Sequence, residues 1–220
     1  MRGAVVFDLD GTLIDSHRDL ADAVNATLAD LGRAPHPVEA VKQMIGHGVV
    51  HLLTRALGES DREQIDRARA RFILHYRAGL LRTTVLYEGV PALLERLAAR
   101  GIRLGLATNK PAEMTAAIVA GLAPLARHIA GVASADETTA RKPDPAVLRL
   151  ALARAAPDAP LDATVYVGDM SVDVEAARAL GCRVLGAGWG FAPEQLAAAS
   201  PDGWAADPQA AGDILTRWLG

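Results

Sequence analysis

One cysteine, three lysines and no apolar run of membrane-spanning length set the first limits on this 220-residue chain. A single thiol, Cys182, excludes an internal disulfide and suits a reducing, cytoplasmic setting. Next to Gly181 it reads as a small buried apolar residue. No stretch approaches the ~20 apolar residues of a transmembrane helix. The one apolar run near the start is interrupted by Asp8 and Asp10, so neither a membrane span nor a signal peptide is expected. A formal net charge of −3 gives no general attraction to nucleic acid or an anionic membrane.

Lysine scarcity is informative in another way. The 23 basic residues include only Lys42, Lys110 and Lys142 as lysines. A compact ammonium does work that a planar guanidinium does less well, so each of the three deserves inspection. What remains is ordinary: half the residues are hydrophobic and 22% are charged, enough to build a sizeable core. The length fits one domain with an insertion, or one large and one small domain.

The chain opens with a β-forming run, Ala4-Val5-Val6-Phe7, that stops on Asp8-Leu9-Asp10-Gly11-Thr12. In an open α/β sheet, ligands bind beyond the carboxyl ends of the strands. Two carboxylates there can bind a cation, attack a substrate or move a proton. An EF-hand loop is excluded, because its sixth and twelfth positions would be Leu13 and Asp19 instead of glycine and glutamate. An Asp-Gly turn is the plain alternative.

From Ser16, a candidate helix cap, to about residue 83 the apolar spacing is helical throughout. Beyond Tyr87 strands and helices alternate. Short strands are expected at 102–107, 129–133, 164–167 and 183–186, each followed by a helical stripe. Asp144-Pro145 reads as a cap and first-turn proline opening one such helix. Alternation of this kind predicts an α/β fold with a parallel sheet flanked by helices. The resulting division assigns residues 1–15 and 84–220 to the α/β core and 16–83 to a small all-helical module.

Polar residues fall where those strands end: Asp8 and Asp10, then Thr108, then Asp169. Parallel strands bring these ends to one edge. Asp173 lies one helical turn past Asp169, and Lys142 precedes a helix start. Four aspartates against one lysine leave three uncompensated negative charges in a small volume, which calls for a divalent cation. Carboxylate ligands without a histidine or cysteine partner favour Mg2+ over zinc.

The Asp8–Thr12 pentapeptide, Thr108, Lys142 and the run Gly168-Asp169-Met170-Ser171-Val172-Asp173 resemble, in order and spacing, the four motifs of the haloacid dehalogenase superfamily. The resemblance covers essentially the whole chain, and implies a Rossmann-like core with a helical cap inserted after the first motif. It implies phosphoryl transfer through an aspartyl-phosphate. Asp8 would be the nucleophile. Asp10 would protonate the leaving oxygen and then activate water, and its anionic neighbours are expected to keep it protonated. Thr108 and Lys142 would bind the transferring phosphoryl group. Mg2+ would be held by Asp8, the Asp10 carbonyl and Asp169, supported by Asp173. An acid at position 10 sets the chain apart from the dehalogenase branch and favours a phosphatase.

Within the superfamily the chain looks most like the phosphoglycolate phosphatases. The shared features are Asp15-Ser16, Ile45-Gly46-His47-Gly48, Thr108-Asn109-Lys110-Pro111, Arg141-Lys142-Pro143-Asp144-Pro145 and Gly188-Trp189-Gly190-Phe191. Met170 departs from the small residue common there. The expected ligand is therefore a small phosphorylated metabolite such as 2-phosphoglycolate, bound by a monomer or homodimer. Gly11, Thr12 and Asn109, with Gly46, His47 and Arg55 of the cap, are the expected substrate contacts. Sugar-phosphate phosphatase, pyrophosphatase, phosphomutase and a non-catalytic binding protein are the alternatives.

Overall fold

The run Ala4–Phe7 forms strand β1, and all four of its residues are buried, as befits a strand covered by helices on both faces. The computed structural model describes residues 3–58 and 61–220. Contacts divide the chain into one unit made of Met1–Ile14 and Leu86–Gly220 and a second made of Asp15–Val85. Between them the chain runs through two-residue strands, β2 (Ile14–Asp15) and, on its return, β3 (Val85–Leu86), which pair with each other.

The second unit contains α1 (His17–Asp30), α2 (Val38–Lys42), α3 (Val49–Leu57) and α4 (Arg62–Gly79). Leu20, Val24 and Leu28 recur at helical spacing on α1, and Ala68, Phe72 and Tyr76 do so on α4; both stripes are buried. These two helices form the main packing pair of the unit. Asp61 caps α4 by accepting from the Gln64 N–H. Ser16 does occupy the N-cap position of α1, but its side chain makes no capping hydrogen bond. Polar anchoring comes instead from Asp19 in the first turn of α1. Its carboxylate accepts from the N–H and the hydroxyl of both Thr83 and Thr84, at 2.6–3.2 Å.

In the first unit, α5 (Val90–Ala99) leads into β4 (Arg103–Thr108), followed by α6 (Ala112–Gly121), α7 (Ala123–His128) and β5 (Gly131–Ser134). Then come α8 (Ala146–Ala155), β6 (Thr164–Gly168), α9 (Ser171–Leu180) and β7 (Arg183–Ala187). The chain closes with α10 (Pro193–Ala198), β8 (Gly203–Ala205) and α11 (Pro208–Leu219). The sheet runs β5-β4-β1-β6-β7-β8 and every pairing is parallel. One face of β1, Ala4 and Val6, joins a core with Val147, Leu148 and Ala151 of α8 and Val174 and Ala177 of α9.

One further local expectation is revised. Asp144 is not the N-cap of α8: Pro145 stands there, and the Asp144 carboxylate accepts from the Ala146 N–H. Strand β8 and helices α7 and α10 are additions to the sequence reading. Each is six residues or fewer, too short for a periodic signal. Among the described residues no helix is long and apolar enough to cross a membrane.

Candidate active site

Strands β4, β1 and β6 are neighbours, and their register sets Phe7 level with Leu106 and Val167. The residues beyond therefore leave the sheet together at its carboxyl edge. Asp8, Thr108 and Asp169 arrive there from three adjacent strands, and the chain order reverses across β1, where such sheets form their binding crevice.

Lys142 is the hub. Its Nζ is 2.7 Å from Asp8 Oδ1 and donates to Asp173 Oδ1 at 2.8 Å and to the Tyr166 hydroxyl at 3.0 Å. The approach to Asp8 Oδ1 lies off the hydrogen-bond direction, so this buried oxygen makes a charge contact while accepting no hydrogen bond. Tyr166 in turn donates to the Ala107 carbonyl at 3.0 Å, bridging β6 and β4 beneath the lysine. Asn109 holds the loop that carries Lys142. Its amide donates to the Lys142 carbonyl at 3.1 Å and accepts from the Lys142 N–H at 2.9 Å. The Thr108 hydroxyl accepts from the Lys110 N–H at 3.2 Å, which leaves its own proton to donate.

Asp169 is fully buried and held at both oxygens. The Thr12 hydroxyl donates to Oδ1 at 3.1 Å and the Phe191 N–H to Oδ2 at 2.7 Å. Trp189 ties the same loop back by donating from Nε1 to the Thr12 carbonyl at 3.0 Å. Gly11, at φ +85°, lets the backbone pass beside this carboxylate: a Cβ there would lie 2.2 Å from Asp169 Oδ2.

Lys110 completes the constellation. Its Nζ donates to both carboxylate oxygens of Asp10, at 2.9 and 2.8 Å, and its side chain is 4% exposed. Asp10, expected to be kept protonated by anionic neighbours, thus has a cation among them. Four aspartates now face two lysines, and a single divalent cation would bring the pocket to formal neutrality.

Burial pushes the Asp8 carboxyl up to about 7; Lys142 opposes the rise, while Asp173 and Asp10 add to it. Asp169 is also raised well above the carboxylate range, first by burial and then by Asp173 and Asp8. Burial works against the Lys142 charge, yet Asp173 and Asp8 overrule it and hold the ammonium firmly protonated. Carboxylates that resist ionisation beside one another are what a cation site looks like before its charge is supplied. Oxygens of Asp8, Asp169 and Asp173 lie within 4.8 Å of one another, and all three residues are buried. The bond-free Asp8 oxygen and an all-carboxylate donor set fit a hard divalent ion. Both Asp173 oxygens already accept, from Lys142 and from the Met170 N–H, so this residue serves best through a bridging water.

The residues singled out in the sequence thus divide. Asp8, Asp10, Thr108, Lys142, Asp169 and Asp173 come together. The side chains of Thr12 and Asn109, expected at the substrate, hydrogen-bond Asp169 and the Lys142 backbone. Gly46, His47 and Arg55 belong to the helical unit, where Arg55 donates to the Gln43 carbonyl and the His47 ring stacks on His51. Three groups were missed: Lys110, Tyr166 and the Phe191 N–H. The first two left a trace, Lys110 as a rare lysine and Tyr166 as a polar ring in an aliphatic strand, where a buried hydroxyl requires a partner.

Residues 5–187 match the family described as haloacid dehalogenase-like hydrolase. A phosphoglycolate phosphatase of Rhodospirillum rubrum is 42% identical over 98% of this chain and 95% of its own length. One from Cereibacter sphaeroides is 41% identical over 81% of this chain and 82% of its own length. Among solved structures, a predicted phosphoglycolate phosphatase from Haemophilus somnus superposes with a TM-score of 0.87 at 27% identity. That match covers 98% of this chain and 97% of the other. Fold, motif geometry and similarity agree: the chain belongs to the haloacid dehalogenase-like hydrolases.

Proposed function

We propose that this protein is a Mg2+-dependent phosphatase that hydrolyses 2-phosphoglycolate through a phosphorylated Asp8. The observation that carries the reading is the convergence of Asp8, Asp10 and Lys142 with a buried carboxylate cluster at one sheet edge. The phosphoglycolate phosphatases at 41–42% identity supply the choice of substrate.

In the first step an Asp8 carboxylate oxygen forms a bond to phosphorus and the bond to the leaving oxygen breaks. Asp10 gives that oxygen a proton, taken up from solvent as the phosphate dianion binds, so the alcohol departs neutral. In the second step Asp10 takes a proton from water, whose oxygen attacks phosphorus. The acyl-phosphate bond breaks, returning the Asp8 carboxylate and inorganic phosphate. Lys142 balances charge on the equatorial oxygens, and the Thr108 hydroxyl donates to one of them. Asp8, the Asp10 carbonyl and Asp169 would hold Mg2+, which screens the phosphate dianion from the incoming carboxylate.

A substrate panel tests this reading. kcat/KM with Mg2+ should be highest for 2-phosphoglycolate among that ester, pyrophosphate and sugar phosphates, with inorganic phosphate released in each case. A top rank for pyrophosphate or a sugar phosphate would replace the substrate and keep the chemistry. Conversion of a sugar 1-phosphate to its 6-phosphate without phosphate release would make the protein a mutase.

A further inference from the structure

Lys110 is one of three lysines, its side chain is almost wholly buried, and its ammonium lies against both oxygens of the carboxyl group that must meet the leaving oxygen. We infer that Lys110 is a specificity residue: it binds the carboxylate that an α-phosphoryloxy acid carries one carbon away from its leaving oxygen. The inference rests on the phosphatase reading above and names the group in the pocket that selects the substrate class.

The geometry is local. When Asp10 is within hydrogen-bond distance of the leaving oxygen, a carboxylate attached through one carbon falls beside Asp10 as well. Lys110 Nζ, 2.8 and 2.9 Å from the Asp10 oxygens, then stands on the side of Asp10 where that carboxylate falls. Charge makes the same demand. An α-phosphoryloxy acid brings an extra anion into a pocket that already contains four aspartates, and Lys142 is committed to Asp8 and Asp173. A carboxylate placed against Asp10 with no cation between them would be repelled; with Lys110 there it gains a charge-assisted hydrogen bond in a largely dry site. An alkyl phosphate of the same length but without the carboxylate gains nothing from this lysine.

The test compares 2-phosphoglycolate with ethyl phosphate, whose methyl group replaces the carboxylate, in wild type, Lys110→Met and Lys110→Arg. Wild type should prefer 2-phosphoglycolate. Lys110→Met should lower its kcat/KM about 10- to 100-fold more than that of ethyl phosphate, chiefly through KM. Lys110→Arg should retain most of the preference. An equal loss on both esters would make Lys110 a positioning residue for Asp10 alone and overturn the inference. Should Lys110→Met fail to fold, competition in wild type decides: glycolate should inhibit ethyl phosphate hydrolysis, and ethylene glycol should not. Equal inhibition by the two alcohols overturns the inference. So does a wild-type enzyme that hydrolyses p-nitrophenyl phosphate with Mg2+ but does not prefer 2-phosphoglycolate, an outcome that spares the phosphatase chemistry. No p-nitrophenyl phosphate hydrolysis at all would instead remove the functional reading on which the inference stands.

Discussion

Gly190 and Asp169 are packed so closely that a Cβ on the glycine would lie 2.2 Å from the aspartate's own Cβ. Room for Asp169 therefore depends on the absence of a side chain in a loop twenty-one residues downstream. That loop also supplies the Phe191 N–H to Asp169 Oδ2. Gly190→Ala should displace the carboxylate and weaken Mg2+ binding about 10- to 100-fold, the range typical of groups that orient a metal ligand. Thr12→Val, which removes the donor to Oδ1, should weaken it in the same direction. Calorimetric titration with Mg2+ measures both. Affinity unchanged in Gly190→Ala would show that the loop does not set the ligand.

Without metal, the site should make stability fall as pH rises. An acid whose folded-state pKa is raised holds its proton in the folded protein while the unfolded chain has lost it. Its stabilising contribution is present below the unfolded value of 3.8 and is lost as pH climbs through about 7, the value for Asp8. Asp169 shifts in the same direction. In the presence of a chelator, Tm should therefore decline between about pH 4 and 7, and the gain in Tm from Mg2+ should grow over the same interval. A Mg2+ increment that stays constant with pH would contradict the charge assignment. Asp19 acts elsewhere on the scale. Hydrogen bonds from Thr83 and Thr84 outweigh burial and lower its pKa, so its contribution is present above 3.8 and disappears only in more acid solution.

Asp19 should also matter in the neutral range. Asp19→Ala removes the acceptor for two backbone N–H groups and two hydroxyls where α1 meets the segment leading out of the helical unit. Leaving the buried Thr84 donors unmatched, while the more exposed Thr83 turns to water, should cost about 1–3 kcal/mol, read from urea denaturation. A loss below about 0.5 kcal/mol would mean that water replaces the carboxylate without penalty.

Much of this was legible in the chain because the relevant signals are local. The run Ala4–Phe7 is apolar with two β-branched valines at its centre, and its abrupt end on Asp8 marks the sheet edge without any knowledge of strand order. Thr108 and Asp169 were readable for the same reason. The pairing of Asp10 with Lys110 was not, since one hundred positions separate them and only the β1–β4 register brings them together. Thr12 and Asn109 read as substrate contacts because they are polar residues within motifs. That their side chains also hydrogen-bond Asp169 and the Lys142 backbone is something spacing does not encode.

Capture of the phosphorylated enzyme tests the central chemistry most directly. Wild-type protein mixed with 2-phosphoglycolate and Mg2+, quenched in acid within one turnover and digested, should carry one phosphoryl group on the peptide containing Asp8. Asp8→Asn should carry none and release no phosphate. Turnover that persists in Asp8→Asn, or a phosphoryl group found on any other residue while Asp8 stays unmodified, would contradict it.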